Sequence, residues 1–484
     1  MGGSGPDHGA AARRVHLMTA VAERPVVVIG GGLAGVAAAV KLADAGCRAV
    51  VFESRKALGG RAGSFLDPRD GRLIDNCQHV VLGCCTNLID LYDRLGVLEK
   101  IGWHDTLYFT DGRGEVDTLR ASWLPAPFHL VPSFLKMGLL SRPQRRHVLR
   151  AMWRIIRLGT AGRLRWREQT FSDFLNHCRQ PQEVIRKFWN VIVTSACNLG
   201  VERVSAAAAL KVFQEGFLGN RFSYRMGLAT VPLAALYEPA RGLLEEAGGE
   251  VHLGTPARAI AFDGTRVTGV ITSDERIDAA AIICAVPFDR LDTLVGSAMR
   301  HADARLGLPG RLEVSPILGV HLLFDQPVMS LPHLVLAGGD VQWLFNKGMV
   351  GDRQYVHAVI SAADEWMGLD HNQIIERVMH DVHRALPESV GLQPVEARSI
   401  KERRATFAAT PDAEASRPPV SPVHAGASAI ENLYLAGDYC DTGWPATMEG
   451  AVRSGYAAAA AITGEGGLVQ DIPPGIAARW LGLR

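Results

Sequence analysis

The densest chemistry near the start of the chain is a glycine turn. Gly30-Gly31-Gly32-Leu33-Ala34-Gly35 fits G-x-G-x-x-G and follows Val26-Val27-Val28-Ile29 at once. Each part serves a dinucleotide pyrophosphate. Gly30 permits the tight turn, Gly32 lets the backbone approach the phosphates, and Gly35 lets a helix pack closely on a strand. The helix that follows offers free N–H groups and the positive end of its dipole. Glu53, 21 residues after Gly32, can accept hydrogen bonds from a ribose diol. A second turn, Gly59-Gly60-Arg61, brings a cation suited to phosphate, or is an ordinary turn with a solvated arginine.

These groups need a scaffold, and the flanking residues describe one. Ala37 to Leu42 reads as a small-residue helix and Cys47 to Phe52 as a second strand, so the unit runs strand, glycine turn, helix, strand, acid. About 400 residues on, Asn432 to Leu435 reads as another strand, ending in Gly437-Asp438. Thr447-Met448 then leads into a small-residue helix, Val452 to Ile462. Between the two ends, Glu250 to Ile260 reads as two short strands around Ala257. Val267 to Thr272 continues a meander, and Ala281 to Pro287 is a buried strand. Leu318 to Phe324 and Tyr355 to Ser361 carry further strand patterns. Internal repeats are absent.

The paired glycine turns and the far Gly-Asp resemble the flavoprotein family that includes amine oxidases and phytoene desaturases, over residues 25–465. The resemblance implies an α/β fold with a Rossmann-like FAD-binding domain and an interleaved α+β substrate domain. It implies FAD, with Gly60 and Arg61 along the pyrophosphate and Ala257 giving backbone bonds to adenine. Gly437 and Asp438 would hold the ribityl chain, and Thr447 and Met448 would open the helix that faces the flavin pyrimidine. Two longer strings, Asp75-Asn76-Cys77-Gln78-His79-Val80-Val81-Leu82-Gly83 and Asp441-Thr442-Gly443-Trp444-Pro445-Ala446-Thr447-Met448-Glu449-Gly450-Ala451, look like the hydroxysqualene dehydroxylases of bacterial hopanoid pathways. Cys77 departs from a glycine in that pattern. This implies reductive removal of an allylic hydroxyl from a triterpene alcohol. Oxidative desaturation of a polyisoprenoid is the nearest rival and amine oxidation a weaker one. Losing a hydroxyl needs an acid, a dry pocket with aromatic faces for developing positive charge, and a reduced flavin. The candidate acids are His79, Asp75, Tyr439, Asp441 and Glu449. His79 comes first because it titrates near neutrality, whereas Asp441 reads more readily as a cap of the following turn than as the acid. Trp444, Phe188, Trp189, Phe213, Phe217, Phe222 and Tyr224 are candidates for a tunnel wall, though aromatics at helical spacing are mostly core.

Charge adds a second theme. The 484 residues hold 51 Lys+Arg and 50 Asp+Glu, a formal net charge of +1, with 48% hydrophobic residues. That composition is globular and argues against a general nucleic-acid binder. Yet residues 118–167 carry eleven basic residues and no acid, which leaves 40 basic against 50 acidic elsewhere. A helix beginning near Ser141, with Pro143 in its first turn, puts Arg142, Arg146, Arg150, Arg154 and Arg157 on one half and Val148, Ala151, Met152, Ile155 and Leu158 on the other. Behind an apolar, proline-rich loop, this reads as a surface element for an anionic membrane. A solvated basic face and an acidic pathway partner are the alternatives. Eight cysteines lack CxxC or zinc spacing, so no metal is expected and a reducing, cytoplasmic compartment fits. Cys77, Cys84 and Cys85 read as small buried residues. The expected layout is a disordered leader at 1–24, with Met1 or Met18 as start. An FAD unit at 25–84, 241–300 and 425–465, a substrate unit at 85–240 and 301–424, and a C-terminal tail at 466–484 follow. The protein would lie on the inner face of a bacterial membrane.

Overall fold

The computed structural model describes residues 20–21, 23–113, 115–424 and 429–483. Most of the expected leader, with both candidate starts, lies outside the described residues.

Five parallel strands form the nucleotide-side sheet, in the order Glu250–Leu253, Ala49–Glu53, Val26–Ile29, Ala281–Cys284 and Leu433–Leu435. The β-branched run Val26-Val27-Val28 is fully buried, as the centre of a parallel sheet covered on both faces requires. Helices Leu33–Asp44 and Met448–Thr463 pack against each other. Their small residues allow a close approach: a Cβ on Gly455 would stand 2.2 Å from Ala34 O. The second helix begins four residues before the expected Val452, because the Thr447 hydroxyl accepts from Gly450 N–H at 3.1 Å and caps it. An antiparallel meander, Ala259–Phe262, Val267–Ile271 and Arg276–Asp278, stands beside this sheet.

The second unit is a mixed seven-stranded sheet. Its order is Glu396–Phe407, Val314–Phe324, Arg353–Ser361, Trp343–Val350, His333–Leu336, Thr106–Thr110 and Asp117–Arg120. Alternate residues of Val314–Phe324 and Arg353–Ser361 pack with helix His371–Ala385 in a separate apolar core. Val80–Leu82 joins Met226–Ala229 and Ile101–His104 in a small antiparallel sheet, and Val81 packs in one core with Leu33, Val36 and Val40 of the nucleotide-side helix. Phe171 stacks on Phe213, and Trp189 meets both rings edge to face.

The basic helix runs Arg142–Leu164 behind a Ser141/Gln144 capping box. Val148, Ala151 and Ile155 are buried, and Arg142, Arg146, Arg150, Arg154 and Arg157 are exposed. Two features depart from a simple stripe. The helix kinks at Gly159, whose φ is +63°; Gln214 Nε2 serves the carbonyls of Ile155 and Gly159 at 3.0 and 3.1 Å. Arg163 turns inward and is buried, so one of the eleven cations leaves the surface. The C-terminal segment is not a free tail. Helix Ile476–Leu481 packs on the kink, Leu483 is buried, and Trp480 stays exposed. Among the described residues no helix is long and apolar enough to cross a membrane.

Candidate functional site

The two glycine turns are in contact. Gly30 takes φ +105°, and a Cβ there would stand 2.7 Å from Ala285 O. A Cβ on Gly35 would come within 1.8 Å of Gly30 O, which is why helix and strand approach only with glycine at that position. Gly32 differs, since its nearest neighbour would be Gly60 Cα at 3.9 Å. Gly59 N–H donates to Gly31 O at 2.9 Å. Gly59 and Gly60, at φ +106° and +59°, curl their backbone around that open side. Glu53 is buried at the end of its strand. Its carboxylate accepts from Gly31 N–H and Arg55 N–H, both at 2.7 Å, which aims it and leaves acceptor capacity for a diol.

Gly30, Gly32, Glu53, Gly60 and Arg61 line one long cavity of about 850 Å³ together with Ala257, Gly437, Asp438, Thr447 and Met448. Only Gly35 of the sequence-selected cofactor residues is withdrawn from it, into the helix–strand contact. The cavity therefore joins segments some 400 residues apart. Arg61 and Asp438 also meet each other: Nη2 donates to Oδ1 at 2.5 Å, and Nη1 donates to Ala405 O at 2.8 Å. The sequence assigned these two charges separately, to phosphate and to ribityl; in the structure one ion pair closes the seam between the halves. A Cβ on Gly437 would strike the Tyr439 ring at 2.3 Å, and Gly437 N–H donates to Ser454 Oγ at 2.7 Å, fixing the approach to Asp438.

The candidate acids separate on geometry. His79 lines the cavity. Its Nδ1 lies 3.0 Å from Cys77 O, and a carbonyl only accepts, so Nδ1 carries the hydrogen and Nε2 is an acceptor. Burial pushes the ring's pKa down, so His79 is neutral at pH 7 and accepts rather than gives a proton. Asp441 is exposed, stays outside the cavity lining, and accepts from Gly443 N–H at 3.3 Å. It closes a turn and is not placed for acid catalysis. Asp75 is buried and accepts from Ser64 Oγ and Leu233 N–H. Glu449 touches the cavity, but its carboxylate already serves Asn87 N–H, Asn87 Nδ2, Leu88 N–H and Arg453 Nε. Tyr439 is buried outside the lining. Cys77 has an ordinary negative-φ backbone, so its side chain replaces a glycine without strain. Burial pushes its thiol up to about 12.

Of the aromatic candidates, Phe217 and Trp444 line the cavity, Phe188, Trp189, Phe213 and Tyr224 are core, and Phe222 is exposed. Two rings not singled out in the sequence, Trp343 and Phe345, stack at 5.4 Å on the wall. The buried Lys211, paired with the half-buried Glu215, also lines it. No group of His, Cys, Asp or Glu among the described residues is arranged to hold a metal.

A glycine cradle that has no room for Cβ at Gly30, Gly35 and Gly60 and stays open at Gly32, an aimed carboxylate, a capped helix N-terminus and the cavity that joins them together fit FAD. The comparisons agree. The family model for flavin containing amine oxidoreductases matches residues 33–463. The chain is 30% identical over 440 residues to a hydroxysqualene dehydroxylase of Sinorhizobium fredii, covering 90% of this chain and 97% of that one. It is 25% identical over 460 residues to a 15-cis-phytoene desaturase of Synechococcus elongatus, covering 90% and 95%. Among solved structures, the fold matches wild-type putrescine oxidase bound to putrescine with TM-score 0.68 at 17% identity, over 91% of this chain and 99% of that one. It matches a putative protoporphyrinogen oxidase from Exiguobacterium with TM-score 0.65 at 18% identity, over 92% and 99%. With the α/β fold, the cavity and a family match across nearly the whole described chain in agreement, this chain belongs to the flavin-containing amine oxidoreductase family and is an FAD-dependent oxidoreductase.

Proposed function

We propose that the chain catalyses the reductive dehydroxylation of hydroxysqualene to squalene, within bacterial squalene and hopanoid biosynthesis. The observation that carries this reading is the 30% identity to the Sinorhizobium hydroxysqualene dehydroxylase along 97% of that enzyme. FAD in its reduced form supplies the hydride equivalent. The chain does the rest. Gly32 and Gly60 would offer backbone N–H groups to the pyrophosphate, Gly30, whose own N–H is donated to Phe52 O at 2.8 Å, would shape the turn, and Glu53 would take the ribose. The Arg61–Asp438 pair would border the cofactor where the two halves meet, and the Thr447-capped helix would offer it its N-terminus. The cavity wall is largely apolar and keeps water from an electron-poor carbon. The stacked Trp343 and Phe345 present π faces to developing allylic charge. His79 Nε2 is an acceptor for the substrate hydroxyl, orienting it. The test is anaerobic: photoreduced holoenzyme mixed with hydroxysqualene yields squalene and oxidised flavin in equal amounts. Flavin that stays reduced refutes the reading.

The phytoene desaturase match, 25% over 460 residues, favours a second reading in which the same site oxidises a polyisoprenoid. Under it, oxidised enzyme bleaches anaerobically with phytoene and does nothing with hydroxysqualene.

The exposed arginines of Arg142–Leu164 support docking on the anionic inner face of a bacterial membrane, where a C30 hydrocarbon partitions. Trp123, Trp153 and Trp480 are exposed, as interfacial anchors are. Vesicle binding that falls with salt checks this, and an acidic pathway protein is the partner to test if vesicles fail to bind.

A further inference from the structure

One charged cluster on the cavity wall lies apart from the cofactor-binding residues named above. Lys211 is buried, and its Nζ lies 2.8 and 2.7 Å from the two carboxylate oxygens of Glu215. Both residues line the cavity. The same carboxylate is shared with Arg163, whose Nη1 donates to Glu215 Oε1 at 2.9 Å and to Gln214 Oε1 at 3.0 Å. Arg163 is the member of the basic stripe that turns inward at the end of the kinked helix. Lys211 Nζ also stands 4.6 Å from the centroid of the Trp444 ring, and Arg453 lies 5.0 Å from that same ring.

Two cations, the buried Lys211 and Arg163, share one half-buried carboxylate, so the trio carries a net +1. Arg453 has its own acids, Glu449 and Asp471. A buried ion pair normally resists losing a proton, because its partner would be stranded as an unpaired charge. Here that penalty is removed. When Lys211 gives up a proton, Glu215 remains paired with Arg163 and the trio becomes neutral. Burial and the Arg163 charge both push Lys211 below the usual lysine range, while Glu215 and Asp471 oppose them. The other cavity groups are poorer donors. His79 is a neutral acceptor, Glu449 is a saturated carboxylate, and Arg61 stays charged.

Resting on the dehydroxylase reading, we infer that Lys211 is the acid that protonates the departing hydroxyl, with Arg163 as the positioning residue that holds Glu215 when the proton leaves. The step balances. Lys211 gives H⁺ to the hydroxyl oxygen, the C–O bond breaks with its electron pair on oxygen, and water departs. The allylic carbon takes a hydride from dihydroflavin. The second dihydroflavin hydrogen leaves as a proton and restores Lys211, so R–OH and dihydroflavin give R–H, water and oxidised flavin.

The experiment follows flavin reoxidation in anaerobic stopped flow with photoreduced holoenzyme and hydroxysqualene. Lys211→Met, with flavin content and unfolding temperature as checks on the fold, is expected to slow reoxidation by on the order of 10²–10⁴-fold, the range of a lost general acid. The wild-type rate falls as pH rises through the Lys211 pKa, because the protonated amine is the active form. Arg163→Gln removes a repelling cation, so this break moves to higher pH, which a purely structural role for Arg163 would not produce. A Lys211→Met rate within threefold of wild type overturns the assignment. Should that variant fail to fold, a break unmoved in Arg163→Gln overturns it instead. If wild-type enzyme itself is not reoxidised by hydroxysqualene, the dehydroxylase reading fails, and this proposal fails with it.

Discussion

Gly32 and Gly35 belong to one motif, yet the structure separates what they do, and two alanine substitutions read out the difference. At Gly35 the new Cβ would start 1.8 Å from Gly30 O, while even a tight contact needs 3.0 Å. Helix Leu33–Asp44 must therefore back away from its strand by about 1.2 Å, since a backbone oxygen cannot swing aside. Overpacking of this kind costs ~1–3 kcal/mol or more, against a gain of ~1 kcal/mol for alanine over glycine inside a helix. Gly35→Ala should lower the unfolding temperature of the FAD-free protein by a few degrees. At Gly32 the new Cβ meets nothing closer than 3.9 Å, so the FAD-free protein should unfold as wild type does. The methyl occupies the space where the pyrophosphate must approach, and a loss of ~2.8 kcal/mol corresponds to 100-fold weaker FAD binding. With FAD at 100 times the wild-type Kd, ligand stabilisation then shrinks from ~2.7 to ~0.4 kcal/mol. Thermal unfolding with and without FAD, beside a flavin-fluorescence titration, measures both. A Gly32→Ala protein that loses stability without FAD but keeps wild-type affinity would refute this division of labour.

Other outcomes follow from features already described. Removing Glu449 leaves Arg453 to Asp471 alone and strands the Asn87 and Leu88 backbone N–H groups, so Glu449→Ala should cost about 2–5 kcal/mol in denaturant unfolding, whereas Asp441→Ala should leave both stability and flavin reoxidation near wild type. Burial holds His129, His321 and His333 at about 4, so each binds a proton only in the unfolded chain between pH 6.5 and 4. Their contribution is complete above pH 6.5 and declines by roughly 1.4 kcal/mol per histidine per pH unit below it, which denaturant titrations at pH 7, 6 and 5 will show. Arg146, Arg150 and Arg157 changed together to Glu should abolish sedimentation with anionic vesicles, at about 1 kcal/mol per arginine before the added repulsion, and unchanged binding would remove the membrane assignment.

The nucleotide half was legible because its constraints are local. A β-branched run, glycines at fixed spacing and an acid at the end of the next strand all act within about thirty residues, and Gly30, Gly35 and Glu53 stand as the pattern requires. Strand and helix ends shifted by a few residues where a cap, such as Thr447, starts the helix earlier than apolar spacing suggests. The catalytic half was less legible. Lys211 and Glu215 at i, i+4 look like any solvated pair. In the structure Trp444, more than two hundred residues away, covers Lys211 and the inward-turned Arg163 joins Glu215, and sequence spacing does not report that. The reverse holds for Asp441, which neighbours the cofactor segment in sequence but points its carboxylate into its own turn. The pairing of Val80–Leu82 with Met226–Ala229 was not legible either, because it depends on partners that no short window contains.

The order of the nucleotide-side sheet also sets a schedule for biosynthesis. Val26–Ile29 lies at its centre, and one of its two neighbours, Ala281–Cys284, is made some 255 residues later. At ~5–20 residues per second, that apolar strand leaves the ribosome tens of seconds before its second edge can be covered. The cofactor helix at Met448 arrives later still. A nascent chain must therefore carry an open, strongly apolar strand through most of its synthesis, which makes chaperone capacity and FAD supply at the moment of release natural controls on how much active protein accumulates.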